Sequence, residues 1–307
     1  MEESIITSTQ NARIKHVVAL QQKSSLRREE GLFVVEGQRE IEHCMECGYE
    51  IVELFTVDGL QFTVDGLRFT NDGLSSCAPT VASGKAKRTD DYTKGQKKPY
   101  IVSSQVYEKM AYRGSTEGII AVAKVKDHRL FSFLAPPSSL LERPSSLLNK
   151  PNPFIVVLES VEKPGNLGAI LRSADAANVD AVIVCDPLTD LYNPNLIRAS
   201  IGAIFTVPVA VCTSQECIAF LKERKIKILT AQLQDSYDYY DYDMRQGTAI
   251  VMGTESTGLT QQWREAADAH IRIPMLGRLD SLNVSVSAAI LMYEAVRQRK
   301  VKGKSGQ

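Results

Sequence analysis

The sequence predicts a two-domain α/β protein, and three observations support this fold class. The chain has 307 residues, which is enough for two domains of ordinary size, each with its own core. From residue 154 onwards, apolar runs alternate with helical patterns, as in a parallel sheet covered by helices on both faces. Between residues 127 and 153 the composition turns to Pro, Ser and Leu, which predicts an interdomain linker.

The composition, 44% hydrophobic and 23% charged, is that of a soluble globular protein. No apolar run approaches the roughly 20 residues needed to cross a bilayer. The acidic residues after Met1 do not resemble a signal peptide, so we expect a cytoplasmic protein without a membrane partner. Because the formal net charge is zero, a nucleic-acid partner would have to be bound by local basic surface.

Residues 1–126 are predicted to form a smaller α/β domain, in which helical patterns alternate with short strand-like runs. Its predicted elements are a helix through Ile14 and Leu20, a strand at Phe33–Val35, a helix from Arg39 to Cys47, and strands at Ile51–Phe55, Ile101–Val102 and Gly118–Ala123. A basic stretch at residues 10–28 contains no acidic residue. Its Lys15, Arg27 and Arg28 are candidates for contact with the phosphates of a nucleic acid. A face that only aids solubility is the alternative for this stretch, and it is the preferred interpretation of the basic tail at residues 301–307.

Residues 56–99 are predicted to be a mobile insertion in this domain. Three near-copies of one heptad begin at Phe55, Phe62 and Phe69, and each contains an Asp-Gly pair. A period this short predicts hairpin turns or a slipped duplication, not a solenoid. The fold can carry such a loop because each doubling of its length costs only about 0.6 kcal/mol.

Residues 154–300 are predicted to form the second domain, a parallel sheet with helices between its strands. The predicted strands are Phe154–Leu158, Ala181–Cys185, Val207–Val211, Ile226–Ala231, Thr248–Met252 and Ala269–Ile273. The last helical pattern has an apolar stripe formed by Leu282, Val286, Ile290, Tyr293 and Val296. Such a stripe usually packs into a core, and a dimer interface is the alternative.

The six cysteines do not predict a metal site. Only Cys44 and Cys47 have a suggestive spacing, and a zinc site would need a second pair that the sequence does not offer. We therefore expect reduced thiols and no metal.

Two stretches near the C-terminus, Val251–Gly258 and Ile273–Val286, each begin as an apolar run and continue into a polar turn that contains glycine. Strand ends in an α/β sheet open onto a crevice where backbone groups hold a ligand, and glycines allow the ligand to come close. The sequence contains neither a Gly-x-Gly-x-x-Gly fingerprint nor a Gly-Lys-Ser/Thr loop, so dinucleotide and nucleoside triphosphate sites are not indicated.

A third Gly-containing loop follows the strand at Phe154–Leu158 and leads into a helix that carries Arg172. Gly168, Arg172 and Asp175 share one face of this helix, away from its apolar face. Arg172 could therefore meet a phosphate or a ribose, and a surface pair with Asp175 is an equally good interpretation.

Taken together, these segments resemble the SPOUT superfamily, specifically the SpoU or TrmH-type RNA ribose 2′-O-methyltransferases. The three motifs that carry the resemblance are Asn166-Leu-Gly168 with Arg172, Gly253-Thr-Glu-Ser-Thr-Gly258, and Ile273-Pro-Met-Leu-Gly277 with Ser281-Leu-Asn-Val-Ser285. Each motif alone is weak, but three in the right order are specific. Residues 7–37 and 118–122 are similar to the ribosomal-protein-like substrate-binding domain that precedes the catalytic domain in many members, and residues 56–99 depart from it.

The resemblance implies that the C-terminal domain contains a deep trefoil knot, a rare exception to the rule that chains do not thread themselves. It implies S-adenosylmethionine as the cofactor, bound by Gly253, Ile273, Met275 and Leu282. It also implies an RNA substrate and a homodimer, formed through the C-terminal domain, that completes the RNA site.

The resemblance assigns catalytic roles to Arg172, Asn166, Glu255, Ser281 and Asn283. In the family the motif-one arginine takes the hydroxyl proton, but keeping a guanidinium neutral near pH 7 would cost about 7 kcal/mol. We therefore expect Arg172 to clamp a phosphate and orient the hydroxyl, with the proton lost late to a phosphate oxygen or water. Asn166 is expected to position the ribose, and the other three to hold the loops and Arg172 in register.

Two alternatives stay open. The chain could be an RNA-binding protein with this fold but without turnover, although the intact set of Asn166, Arg172, Glu255 and Asn283 argues against it. It could also methylate a base, although the Ser281–Asn283 segment favours ribose. The sequence does not distinguish transfer RNA from ribosomal RNA as the target.

Overall fold

The computed structural model describes residues 5–60, 62–64, 67–70, 73–76, 98–112, 117–130 and 150–300. The chain divides into two compact units, one of Met1–Lys126 with Tyr192–Arg198 and one of Asp127–Leu191 with Ala199–Gln307. The predicted α/β class is confirmed, since the first unit contains a mixed sheet and the second a parallel one. Most of the predicted linker and the basic tail lie outside the described residues. Within the described ranges, no helix has the length and hydropathy needed to span a bilayer.

The first unit is built on a four-stranded sheet of order β1-β7-β2-β6. Ile14, Val17 and Leu20, spaced for one face of a helix, are fully buried in its core. Its helices are α1 (Ala12–Gln22), α2 (Ser24–Glu30), α3 (Gln38–Glu46) and α4 (Ser104–Met110), and its strands are β1 (Leu32–Glu36), β2 (Ile51–Val57), β6 (Tyr100–Val102) and β7 (Ile119–Lys124). The predicted helices and strands match α1, α3, β1, β2, β6 and β7 to within a few residues, whereas α2 and α4 were not predicted.

The heptad repeats form a separate antiparallel sheet of β3 (Phe62–Val64), β4 (Leu67–Thr70) and β5 (Gly73–Ser76). Phe62 pairs with Phe69, and Phe69 also pairs with Leu74, so successive copies of the heptad lie side by side. The prediction of hairpins is confirmed. Residues 77–97, the second part of the predicted mobile insertion, lie outside the described residues.

The second unit is built on a seven-stranded sheet of order β10-β9-β8-β13-β11-β14-β12, in which all neighbours are parallel. The strands are β8 (Phe154–Glu159), β9 (Ala181–Cys185), β10 (Val209–Cys212), β11 (Lys227–Ala231), β12 (Tyr237–Asp238), β13 (Thr248–Met252) and β14 (Ala269–Arg272). The six predicted strands are confirmed. β10 begins two residues later than expected, after Pro208, which has no N–H for the strand ladder.

The helices of this unit lie between its strands, except the last, which follows β14. They are α5 (Pro164–Ala176), α6 (Pro194–Ser200), which begins in the segment assigned to the first unit, α7 (Ala203–Thr206), α8 (Ser214–Glu223), α9 (Gln261–Ala266) and α10 (Val284–Lys300). α5 begins with Pro at its first position, where the missing N–H has no cost. Because the strands are parallel, the loops that follow β8, β13 and β14 open at the same edge of the sheet.

Candidate active site

The three loops at the carboxyl edge of the parallel sheet are tied together by one carboxylate. Glu255 follows β13; its Oε1 accepts hydrogen bonds from Nδ2 of Asn166, at 3.0 Å, and from Nδ2 of Asn283, at 2.9 Å. Its Oε2 accepts from Nζ of Lys163 at 2.6 Å. Nδ2 of Asn283 also lies 3.2 Å from Oδ1 of Asn166. We call these four residues the Glu255 cluster.

The contacts in the Glu255 cluster favour the ionised form of its carboxylate. The hydrogen bond from Lys163 lowers the pKa of Glu255 below its ordinary value of 4.5, and the same contact raises the pKa of Lys163. Because the folded-state pKa of Glu255 is lowered, the stabilisation from its charge is present above pH 4.5. It is lost as the pH falls through the folded-state value. The cluster is therefore anionic at its centre at neutral pH.

Replacing Lys163 with Met is expected to raise the pKa of Glu255 towards 4.5, because the ammonium is the largest cause of the shift. The measurement is an NMR titration of the carboxyl carbon of Glu255. The exposed Lys222, on α8, supplies the control variant Lys222→Met, which should leave the titration where it is. A Glu255 titration that is the same in both variants would contradict the assignment.

Gly253 has a steric reason to be glycine. A Cβ placed on it would lie 2.4 Å from the carbonyl carbon and oxygen of Gly258 and 2.6 Å from the backbone nitrogen of Leu259. Gly258 itself has a φ of +67°, in the left-handed region. The loop between the two glycines therefore closes on itself and holds Glu255 at its tip.

A buried carboxylate anchors the far end of this loop. Glu159, at the end of β8, is 2% exposed. It accepts hydrogen bonds from the backbone nitrogen of Thr260 at 2.9 Å, from Oγ1 of Thr260 at 2.6 Å and from Oγ of Ser214 at 3.3 Å. Ser214 in turn accepts from Nε1 of the fully buried Trp263 at 2.9 Å. Glu159 thus joins β8 to the start of α9.

Arg172 lies on α5 but outside the Glu255 cluster. It is exposed, and the described residues give it no hydrogen bond or ion pair. Six residues separate it from Asn166, so the two side chains are about 120° apart around the helix and about 9 Å apart along it. Asp175 accepts a hydrogen bond from Oγ1 of Thr206 at 2.7 Å. The interpretation of Arg172 as the surface partner of Asp175 is therefore wrong.

Of the predicted cofactor residues, Gly253 follows β13, and Ile273, Met275 and Leu282 lie in the loop after β14. Ile273 and Met275 are half-buried, while Leu282 is 40% exposed. Ser281 is also exposed, and its Oγ donates to Oδ1 of Asp280 at 3.2 Å. Ser281 is therefore not brought into the Glu255 cluster, unlike Asn283, two residues further on.

The three basic candidates in the first unit do not share one environment. Lys15 and Arg28 are exposed. Arg27 is 3% exposed, and its guanidinium donates to the backbone carbonyls of Leu20 and Gln21. Arg27 therefore joins α1 to α2, and a contact between its side chain and RNA is excluded by its burial. The basic pattern alone could not distinguish these two roles.

The apolar stripe of the last helix is not part of the core. Val286 is 47% exposed and Tyr293 is 51% exposed, whereas Ala288, Leu291 and Met292 are buried on the opposite face. The interpretation of the stripe as core is therefore wrong. Leu276 and Leu279, in the preceding loop, are 97% and 79% exposed. These four exposed apolar side chains belong to one segment of the chain, the loop after β14 and the helix α10 that follows it.

Two further residues join these loops, Lys163 and Glu159, and the sequence motifs select neither of them. Lys163 stands directly before the Pro164 that opens α5, and its partner Glu255 follows a different strand. Glu159 belongs to β8 and not to the loop that follows it, because it continues the apolar strand by one residue. A carboxylate at the buried end of a strand needs hydrogen-bond donors, so a Glu directly after an apolar run indicates a buried hydrogen-bond network.

A parallel α/β sheet that carries glycine-shaped loops and an ionised cluster at its carboxyl edge is the architecture of a ligand-binding enzyme domain. Comparisons with known proteins agree. The model of the SpoU rRNA Methylase family matches residues 153–293, and that of the MRM3-like substrate binding domain matches residues 11–121.

Individual relatives belong to the same class of enzyme. The 23S rRNA (guanosine-2′-O-)-methyltransferase RlmB of Pectobacterium atrosepticum is 36% identical over 200 residues, which are 65% of this chain and 78% of that protein. The RlmB of Bordetella pertussis is 41% identical over 147 residues, 48% of this chain and 60% of that protein. A crystal structure of an RNA 2′-O ribose methyltransferase is 33% identical with a TM-score of 0.72, and the match covers 97% of this chain and 100% of that one.

The class defined by the fold and the site is an RNA 2′-O-ribose methyltransferase. The chain belongs to the SpoU family.

Proposed function

We propose that this chain transfers the methyl group of S-adenosylmethionine to a ribose 2′-hydroxyl in ribosomal or transfer RNA. The observation that carries the proposal is the Glu255 cluster, which joins all three motif loops at one edge of the sheet. The RlmB relatives named above act on 23S ribosomal RNA, which favours ribosomal RNA as the substrate.

The residues that would hold the cofactor are Gly253, Ile273, Met275 and Leu282. Ile273 and Met275 are half-buried apolar side chains, which suit the adenosyl part of such a ligand, and Gly253 allows the loop after β13 to close on Gly258. Structures of AviRb from Streptomyces viridochromogenes and of a Sinorhizobium meliloti rRNA methyltransferase, both with bound AdoMet, share this fold at 24% and 23% identity. When bound, the cofactor supplies an electrophilic methyl group on a sulfonium.

The chain's own residues would orient the RNA. Asn166 is fixed by Glu255 and Asn283, and its amide nitrogen has a second proton for the ribose. Arg172 is exposed and, in our proposal, clamps a phosphate and orients the attacking hydroxyl, with the proton leaving late to a phosphate oxygen or water. Glu255 and Asn283 act as positioning residues. Ser281 is proposed to act only as part of the loop beside the cofactor, without a catalytic role of its own.

The test of this function is the transfer of a labelled methyl group to RNA by the full chain, followed by mass spectrometry of the nucleosides. We expect 2′-O-methylnucleosides. Label on a base would refute ribose as the acceptor. Tight RNA binding with no label would refute turnover and favour an RNA-binding protein that has kept the fold.

We also propose that the second unit contains the trefoil knot of its family. The support is a parallel sheet whose last two long loops, after β13 and β14, meet the loop after β8 at one edge, with α10 packed against α5. An experimental trace of residues 153–300 tests it.

We propose that a second copy of the chain covers the exposed apolar surface of α10 and the loop before it. Large exposed apolar side chains grouped in this way mark interaction sites. The double variant Val286→Asp/Tyr293→Asp is expected to convert a dimer to a monomer in light scattering after size exclusion, because it buries two charges in the interface. Leu188→Asp, at a residue 64% exposed elsewhere on the unit, is the matched control and should stay dimeric. If the unmodified protein is a monomer, the proposed dimer is refuted.

We propose that Lys15 and Arg28 contact RNA phosphates. Replacing both with Ala is expected to weaken binding of every RNA tested and to reduce the slope of log K against log salt by about 1 to 2. Arg27→Ala should instead lower the melting temperature, because it leaves two backbone carbonyls without their donor. Filter binding over a salt series and thermal unfolding are the measurements. An unchanged salt slope in the double variant would remove these residues from the RNA surface.

A further inference from the structure

Three cysteines lie close together at the β10 end of the parallel sheet, the opposite end from β14. Cys185 ends β9, Cys212 ends β10, and the two are paired in register on neighbouring parallel strands. Cys217 lies on the first turns of α8. The three Sγ atoms lie within 4.8 Å of one another. This cysteine triad has no part in the proposed methyl transfer.

The spacing of the triad is close to that of ligands around one ion. A metal–sulfur bond of about 2.3 Å allows two sulfurs on the same ion to be at most about 4.6 Å apart. Small side-chain rotations would therefore bring the three sulfurs of the triad into a ligand triangle. Cys185 and Cys217 are fully buried, while Cys212 is only partly buried and gives an ion its route from solvent.

Cysteine binds metals as the thiolate, so uptake of an ion by the triad would release thiol protons. The bound cation would offset the cost of holding thiolate charge beside a hydrophobic core.

The ligand set favours a particular kind of ion. Among the described residues, no histidine or carboxylate joins the triad, and the two carboxylates nearest in sequence are engaged elsewhere. Asp186 accepts hydrogen bonds from Oγ and the backbone nitrogen of Ser214, and Glu216 accepts from Thr213 in the capping box of α8. Zinc in structural sites takes four ligands, whereas soft monovalent Cu(I) is selected by thiolates alone.

We propose that Cys185, Cys212 and Cys217 form a three-sulfur binding site for one Cu(I) ion. The ion would join β9, β10 and α8 through their side chains. Binding of the ion is expected to stabilise this unit. The backbone carbonyl of Cys185 also accepts a hydrogen bond from the backbone nitrogen of Ser160, at the start of the loop that leads to Asn166. The site is independent of the methyl-transfer proposal.

The experiment uses the full reduced chain under anaerobic conditions, with bicinchoninate as the coloured competitor for Cu(I). We expect the protein to withdraw one equivalent of Cu(I), to melt at a higher temperature when loaded, and to give an X-ray absorption spectrum with only sulfur in the first shell. Cys217→Ser and Cys212→Ala should each weaken binding by more than about 100-fold, since loss of a ligand costs at least as much as loss of a supporting partner.

Cys44→Ser/Cys47→Ser is the matched control, because it removes one thiol from α3 and one from its C-cap and leaves the triad intact. It should bind Cu(I) like the unmodified chain. Circular dichroism shows whether each variant is folded, and the partly exposed Cys212 gives a variant that does not open the core. Failure to compete with bicinchoninate, equal uptake by the folded Cys212→Ala variant, or a preference for Zn²⁺ over Cu(I) would each overturn the proposal.

Discussion

Replacing Arg172 with Ala is expected to lower kcat/KM for methyl transfer by about 10²–10³, the cost of removing one preorganised donor from a developing charge. S-adenosylmethionine should bind with unchanged affinity, because Arg172 is exposed and has no hydrogen bond or ion pair with the proposed cofactor residues among the described residues. Single-turnover transfer to RNA and calorimetric titration with the cofactor measure the two effects separately. The melting temperature should not change, since the described residues give Arg172 no hydrogen bond to lose.

The conservative variant Arg172→Lys separates charge from geometry. A lysine keeps the positive charge but not the planar fork that binds a phosphate through two hydrogen bonds, so only part of the activity should return. Lys222→Ala, on the exposed face of α8, is the control for loss of a surface cation. Full turnover in Arg172→Ala would remove this residue from the proposed mechanism.

Replacing Gly253 with Ala is expected to abolish cofactor binding and to destabilise the second unit by about 1–3 kcal/mol, the usual cost of forcing a side chain into a packed site. The added Cβ would meet backbone atoms of Gly258 and Leu259, which cannot rotate away as a side chain can. The loop must open, and Glu255 moves with it. Thermal unfolding and calorimetric titration with S-adenosylmethionine measure both consequences.

Gly277→Ala is the matched control for this variant. Gly277 belongs to the other Gly-containing loop, and a Cβ placed there has no neighbour within 4 Å. It should therefore keep stability and cofactor affinity. If Gly253→Ala bound the cofactor as well as Gly277→Ala does, the loop around Glu255 would not be part of the cofactor site.

The sequence could predict most of the fold, because the signals for it are local. Strands such as Phe154–Glu159 and Thr248–Met252 are continuous apolar runs, as expected when both faces of a parallel sheet are covered. The two-residue strand β12 was not predicted, since Tyr237 and Asp238 are too few to show a period. Its pairing with β14 depends on the tertiary arrangement alone.

The candidate site was predictable where a motif contained the residue and not where a partner was distant. Asn166, Glu255 and Asn283 were selected from three separate motifs, and they do form one cluster. Lys163 was not selected, because its importance depends on Glu255, 92 positions further along the chain.

Burial and strand order account for the remaining errors. The burial of Arg27 and the exposure of Val286 depend on which face of a helix meets its neighbours, and helix periodicity alone does not specify this. The cysteine triad is a similar case. Its members show no metal-binding spacing and meet only because β9 and β10 are adjacent.

The side chain of Asn283 does two things at once. Its Oδ1 accepts hydrogen bonds from the backbone nitrogen of Ser285 at 3.0 Å and from Oγ of Ser285 at 2.6 Å, which caps the start of α10. Its Nδ2 donates to Glu255 and Asn166. Fraying of the first helical turn would therefore also break the hydrogen bonds of Asn283 within the Glu255 cluster. Whatever stabilises the start of that helix stabilises the cluster as well.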